Sequence, residues 1–337
     1  MKRKPNVLAV PAIALFIVFS NAQSSERERP NVAILIFNGV QPIDFAGPFE
    51  VFGQLNLNNV FTIGENLEPI TTSMGMIVTP NYSFDNSPVP DVIVIPGGGG
   101  VDVRGQVNNQ KTLEWIQENA KTAKYVLSVC NGAFVIAKAG LLDGKEATTF
   151  YGLLSNLKKD YPHITVVYNK RFVDNGKVIT TAGISSGIDG ALHVVSLLHG
   201  AVWAKAVSLN MEYNWQPDSK YARAMLADMN IPNGIYKFLG QDAELLEYTG
   251  DTVMWKERWN IGSGTFPDTV LNNVNRVLSE DQHWTRVESK ISIGKEGNWK
   301  FSDRFGKQWS ATIRIEHAEQ KNRFLFTLNL SRQEDRH

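Results

Sequence analysis

The chain holds one cysteine, Cys130, in 337 residues, so no intramolecular disulfide is open to it. Charge of either sign is not in excess: 34 Lys and Arg balance 34 Asp and Glu. A neutral chain with no basic stretch beyond its N-terminus has no electrostatic footprint for nucleic acid or an anionic membrane surface. The phosphate-cradling glycine patterns GxGxxG and GxxxxGK[ST] are missing. His, Cys, Asp and Glu nowhere stand at metal-ligand spacing, so no metal and no cofactor are expected. Past the N-terminus, no apolar run reaches the roughly 20 residues of a membrane helix. At 43% hydrophobic and 20% charged, the chain can nonetheless bury a full core in about two domains. Small-molecule chemistry or protein contact is what this balance leaves.

The N-terminus sets the expected compartment. Lys2, Arg3 and Lys4 precede an apolar stretch over 7–19, and Ser20-Asn21-Ala22 supplies small residues before a cut ahead of Gln23. That is the layout of a secretory signal peptide over 1–22, so a periplasmic or secreted protein with no stable membrane insertion is expected. The alternative, an uncleaved anchor, fits less well because the run is short and contains Pro11. No cysteine near the cut permits a lipoprotein.

From residue 31 the pattern becomes regular. Short, continuously apolar runs at 32–37, 60–63, 91–95, 125–129 and 178–181 read as buried strands, with shorter strands at 76–79 and 165–168. Helical segments fall at 43–54, 111–123, 132–139 and 188–198, the third closed by Gly140. Such alternation implies an α/β fold, a flavodoxin-like parallel sheet sandwiched by helices, over 31–215. Residues 216–250 mix Pro, Gly and Asp and read as a connector. Period-two alternation follows, with Val253, Trp255, Trp259 and Ile261 on one strand face. A helix opens at Thr265-Phe266-Pro267-Asp268 as a capping box and buries Val270, Leu271, Val274, Val277 and Leu278. Further strands are expected around 287–293, 309–315 and 324–330. A second, smaller α+β domain is thereby placed over 251–331.

Three features fall at strand ends, where ligands bind in open α/β sheets. Ser128-Val129-Cys130-Asn131-Gly132 has the form of a nucleophile elbow, a tight strand-to-helix turn that needs small neighbours. A thiol there faces the positive end of a helix, which favours thiolate. A lone free thiol is otherwise most often buried and inert. Pro96 and the glycines 97–100 offer backbone amides that an oxyanion could approach; a flexible loop is the competing reading. Asp44, a few residues past a strand end, is the acid to pair with Cys130, or else a simple helix-start carboxylate. No histidine adjoins Cys130, and His163, His193 and His199 read as core or surface residues.

These segments, VAILIFNGVQPIDFAGPFEVF, DVIVIPGGGG, VLSVCNGAFVIAKAGLLDGKEATTF and KRFVDNGKVITTAGISSGIDGALHVV, resemble the ThiJ/PfpI superfamily, whose fold is that of class I glutamine amidotransferases. The resemblance runs from about residue 31 to 215. It is closest to the branch holding isonitrile hydratase and the sensor domains of AraC-type regulators. It implies Cys130 as the elbow nucleophile, Asp44 as its acidic partner, and Gly98, Gly99 and the Asn131 amide at the oxyanion-binding positions. Asn131 and Phe150 depart from the pattern, since many relatives carry His at these places; a Cys–His peptidase or an amidotransferase is disfavoured. The reading that follows is an exported, cysteine-dependent protein that hydrates or hydrolyses a small electrophile. The competing reading is a small-molecule or redox-sensing module using the same pocket. A homodimer is inherited as an expectation. The last domain matches no DNA-binding pattern: it reads mainly as strands, without a basic recognition helix.

Overall fold

The structure, a computed structural model, describes residues 29–219, 221–262, 266–281, 284–287 and 296–333. The expected signal peptide lies outside these residues. No helix among them is long and apolar enough to cross a membrane.

The first domain is built from β1 (Asn31–Leu35), α1 (Pro42–Gly53), β2 (Asn59–Gly64), β3 (Ile70–Thr71), β4 (Ile77–Val78), β5 (Tyr82–Ser83), β6 (Val92–Ile95), α2 (Gly100–Val107) and α3 (Gln110–Thr122). It continues through β7 (Tyr125–Ser128), α4 (Gly132–Lys138), β8 (Glu146–Ala147), α5 (Leu154–Asp160), β9 (Thr165–Val166), β10 (Phe172–Asp174), β11 (Val178–Thr181), α6 (Ser186–His199) and α7 (Ala201–Asn210). Seven strands form one sheet in the order β10-β11-β7-β6-β1-β2-β5. All pairings are parallel except that of β10 with β11. The reason is visible in β6, whose Val-Ile-Val-Ile is buried at every position. A strand covered by helices on both faces carries no polar side, and that is the condition of a parallel sheet. The expected α/β class is borne out.

Local choices follow the same logic. The Asn109 side chain accepts from the Lys111 and Thr112 amides and starts α3. That helix then buries Leu113, Trp115, Ile116 and Ala120 against the sheet. Three helices were not anticipated: the short α5, which buries Leu154 and Leu157, and two longer ones. The first of the longer two, α2, grows directly out of the glycine run, which reads locally as loop. The second, α7, follows the Gly200 turn (φ +97°) and leaves Val202 82% exposed, so it lacks a clean buried stripe. The strand expected over 76–79 is real but minor, pairing only with β3 in a two-residue ladder.

The second domain is a six-stranded antiparallel sheet ordered β12-β13-β17-β16-β15-β14 with one helix. Its elements are β12 (Glu244–Gly250), β13 (Met254–Ile261), α8 (Pro267–Glu280), β14 (Trp284–Arg286), β15 (Glu296–Ser302), β16 (Gln308–His317) and β17 (Phe324–Arg332). The stretch expected as a connector, 216–250, differs from that reading. Leu226, Ala227, Ile231, Ile235 and Leu239 enter this domain's core, and β12 pairs with β13 along its length. Pro and Gly mark tight 3₁₀ turns here rather than a linker. The capping box is also corrected: the helix is capped at Phe266 with no side-chain bond, Pro267 fills its first turn, and Thr265 lies outside the described residues. Of the strand expected at 287–293, Val287 follows β14 as a bend and the remainder lies outside the described residues. Val253 is 37% exposed and precedes its strand; the inward position between Trp255 and Trp259 belongs to Glu257, which is fully buried.

Candidate active site

In the sheet, β1 lies between β2 and β6, so the chain reverses its winding direction at the β1/β6 boundary. Crevices form at such switch points beyond the carboxyl ends of the strands. Segments leaving β1, β6, β7 and β11 bring Asp44, Gly97, Cys130 and Gly183 together there. Cys130 sits between β7 and α4 with φ +55°, a left-handed conformation that costs a non-glycine residue about 1–3 kcal/mol. The turn is closed by the Gly132 amide on the Val129 carbonyl at 3.0 Å, and Val129 is tied to the Ile95 carbonyl at 2.9 Å. A Cβ on Gly132 would lie 2.7 Å from the Pro96 carbonyl oxygen and nearer still to that of Ile95. Only glycine allows the elbow to press so closely on the end of β6.

Asp44 is wholly buried at the first turn of α1. Its Oδ1 accepts the Ile184 amide at 3.0 Å. Ile184 is itself held at φ +55°, an outlier for a β-branched residue. The other oxygen, Oδ2, has no partner in full hydrogen-bond geometry. A point 2.8 Å from Oδ2, where a Gly97 side chain would begin, is also 2.8 Å from Cys130 Cβ. Glycine at 97 thus leaves the carboxylate and the thiol facing one another. Burial pushes the Asp44 carboxyl up to about 6, partly offset by the Ile184 amide, the Cys130 thiol and the Gly97 amide. Burial also pushes the Cys130 thiol well above its ordinary range, and the neighbouring Asp44 charge adds to this; the Asn131 amide, set against the sulfur, opposes it. The expectation of a stabilised thiolate is therefore corrected. Cys130 rests as a thiol beside a carboxylate, because desolvation and Asp44 outweigh a seven-residue helix.

The glycine loop also departs from expectation. Asn131 Oδ1 accepts the Gly98 amide and its Nδ2 donates to the Gly98 carbonyl, each at 2.9 Å. The Gly99 amide is bound to the Gly39 carbonyl at 3.0 Å. Both amides expected to face an oxyanion are thus already used, and Asn131 acts as a clamp on the loop. Its own backbone N–H is the donor directed at the Cys130 sulfur.

A cavity of about 210 Å³ opens beside the cysteine. Thr149 and Gly183 line it and touch Cys130. The Thr149 hydroxyl donates to the Cys130 carbonyl at 2.8 Å, and a Cβ on Gly183 would lie 2.9 Å from Sγ. Phe150 forms part of the wall and presents an apolar ring with no titratable group. Two histidines are engaged elsewhere: His193 with Asp174 at 2.7 Å and His199 with Asn58 at 2.9 Å. Among the described residues no His, Cys, Asp and Glu group is arranged to hold a metal ion.

Several wall residues carried no signal in the sequence. Arg171 is fixed by Asp189 at 2.6 Å and by the Ser185 hydroxyl at 3.1 Å, and the Tyr213 hydroxyl braces Asp189 from the far side at 3.0 Å. Tyr221, Ala222, Arg223 and Ala224 close the cavity from the segment read as a connector. Only the fold brings these groups to the strand ends, and no local motif marks them.

An α/β sheet with a cysteine elbow and a buried acid at its switch point defines a class, and comparison with known proteins agrees. The DJ-1/PfpI family model matches residues 30–197. The chain belongs to this family. It is 37% identical over 185 residues to the isonitrile hydratase of Pseudomonas putida, covering 54% of this chain and 78% of that enzyme. It is 23% identical to the HTH-type transcriptional regulator GbdR of Pseudomonas aeruginosa, over 54% of this chain and about half (50%) of the regulator. Among solved structures, a THiJ/PfpI family protein from Pseudomonas syringae superposes with a TM-score of 0.52 at 25% identity, over 62% of this chain and 86% of that one. Drosophila melanogaster DJ-1beta matches in fold with a TM-score of 0.50 at 19% identity, over 56% of this chain and all (100%) of that one. The family match ends at residue 197, so the antiparallel domain lies beyond it.

Proposed function

We propose that the protein is an exported hydratase of small electrophiles, with isonitriles as the leading class, working through Cys130 and Asp44. The observation that carries this reading is the facing of a buried carboxyl, set near neutrality, and the thiol across the Gly97 gap. An isonitrile carbon accepts a nucleophile and a proton at the same atom. The Cys130 sulfur forms a bond to that carbon while Asp44 takes the thiol proton and returns it to the carbon, giving a thioimidate. Water then adds to the C=N carbon, the S–C bond breaks, the sulfur recovers its proton, and an N-substituted formamide leaves. The sum is one isonitrile plus one water, with no redox partner. An acid near 6 can serve as base and acid in turn at neutral pH, and no histidine is required. The identity with isonitrile hydratase, 37% over most of that enzyme, supports the substrate class.

The test is the formation of formanilide from phenyl isocyanide, followed by chromatography, with wild type and Cys130→Ala side by side. Equal turnover in both ends the proposal. A sensing module is the second reading, favoured by the Gly98 amide, which is closed to an oxyanion. Selective oxygen addition to Cys130 under mild peroxide, without isonitrile turnover, would support it.

A further inference from the structure

A second cavity, about 630 Å³, lies between the two domains. Tyr151 and Arg223 line both cavities, so the two adjoin at this pair. The Arg223 guanidinium stacks 4.9 Å from the Tyr151 ring centroid and is held from behind by Asp228 through two bonds of 2.8 and 2.6 Å. The Tyr248 hydroxyl completes the brace on Asp228 at 2.6 Å. On the far side the wall is aromatic. Tyr236 and Trp259 both donate to the buried Glu257 carboxylate, at 2.9 and 3.2 Å, and Trp255 adds a third bond at 3.2 Å. A fully satisfied carboxylate behind the rings holds them in place, as a built binding surface requires.

Charge at the second cavity is not fully paired, and Glu257 is satisfied by neutral donors alone. Arg171 and Arg223 are matched by Asp189 and Asp228. Lys170 on the first cavity and Arg304 on the second have no carboxylate partner among the described residues. Arg304 lies over Tyr168, a wall residue of the first cavity, at 5.6 Å from its ring centroid. One unmatched cation, Arg304, therefore stands in the wall of a chamber of tyrosine and tryptophan, and Lys170 in the wall of the first cavity.

We propose that the second cavity is the specificity subsite of the Cys130 centre and takes a flat aromatic substituent ending in an anionic group. The antiparallel domain then supplies the residues that select the substrate, while the family domain supplies the chemistry. The inference rests on the hydration reading for its reaction, though not for its binding.

Two arms test it on the full chain. In the first, kcat/KM is measured for 4-isocyanobenzoate and for phenyl isocyanide. Wild type should prefer the acid by about tenfold or more, the equivalent of one charge-assisted contact. Arg304→Gln should cut that preference about fivefold, and Lys121→Gln on α3, which lines neither cavity, should leave it intact. In the second arm, calorimetry follows 4-formamidobenzoate and formanilide binding to Cys130→Ala, with and without Arg304→Gln. Tighter binding of the acid, weakened by Arg304→Gln, supports the subsite even if no isonitrile is turned over. Hydration of both isonitriles at equal rates, with equal binding of both formamides, overturns the subsite and leaves the hydration reading standing.

Discussion

Replacing Asp44 by Asn should stabilise the family domain at alkaline pH while removing its proposed chemistry. Asp44 is raised from 3.8 to about 6 by burial, so between these values the folded state keeps a proton that the unfolded chain has lost. The stability carried by protonated Asp44 is complete below the unfolded value and is lost as pH rises through 6. At about 1.4 kcal/mol per unit, the ionised group costs the fold about 3 kcal/mol at pH 8, against about 1 kcal/mol at pH 4.5. Asn is neutral throughout, and its Oδ1 can still accept the Ile184 amide, now at 3.0 Å. Its NH₂ replaces an oxygen that faces the Gly97 amide and the thiol, a fixed penalty independent of pH. The pH-dependent part is the clean quantity. The stability of Asp44→Asn relative to wild type should rise by about 2 kcal/mol between pH 4.5 and pH 8. Urea unfolding read by a hydrogen-exchange pulse on the peptide spanning 125–138 isolates this domain from the second one. A difference that stays flat across that range would refute the claim that burial holds a charged carboxyl at this site.

Other expectations follow from the same geometry. Isonitrile turnover should fall on the acid side with a midpoint near pH 6, as Asp44 gains the proton it must accept; a flat profile from pH 5 to 8 would count against it. Alkylation of Cys130 by iodoacetamide should titrate above the ordinary thiol range, and Asp44→Asn should shift that midpoint down by removing the facing charge. Asn131→Ala removes two side-chain bonds to Gly98 and should cost about 1–3 kcal/mol of stability by urea unfolding; a change within error would mean the clamp carries no energy. Mass spectrometry of protein exported from a bacterial host should find Gln23 as the mature N-terminus, and an intact Met1 would contradict the export proposal.

The central sheet was readable because its strands are buried on both faces and therefore announce themselves as apolar runs, as in 92–95. The elbow was readable for a related reason: strand, small residue and helix follow one another within ten positions around Cys130. What escaped depends on contacts between distant segments. Ile184 is tied to Asp44 across 140 positions, and nothing local marks its left-handed backbone. The side chain of Asn131 could be read as a departure from relatives, yet its pairing with Gly98 emerges only when two strand ends meet. Arg223 and Tyr221 lay in a stretch whose Pro and Gly suggested a linker, because 3₁₀ turns and linkers share those residues. Glu257 interrupts an apolar face that otherwise alternates cleanly; its three indole and phenol donors make a buried carboxylate tolerable there.

The proposal turns on whether the Cys130 sulfur bonds to the electrophilic carbon. Acid-quenched intact-mass spectrometry within the first turnover of phenyl isocyanide addresses this directly. The account predicts a species heavier than the free protein by one whole isonitrile, mapped to Cys130 by peptide analysis and missing from Cys130→Ala. Formanilide production with no such adduct in wild type, or an equal adduct in Cys130→Ala, would contradict it.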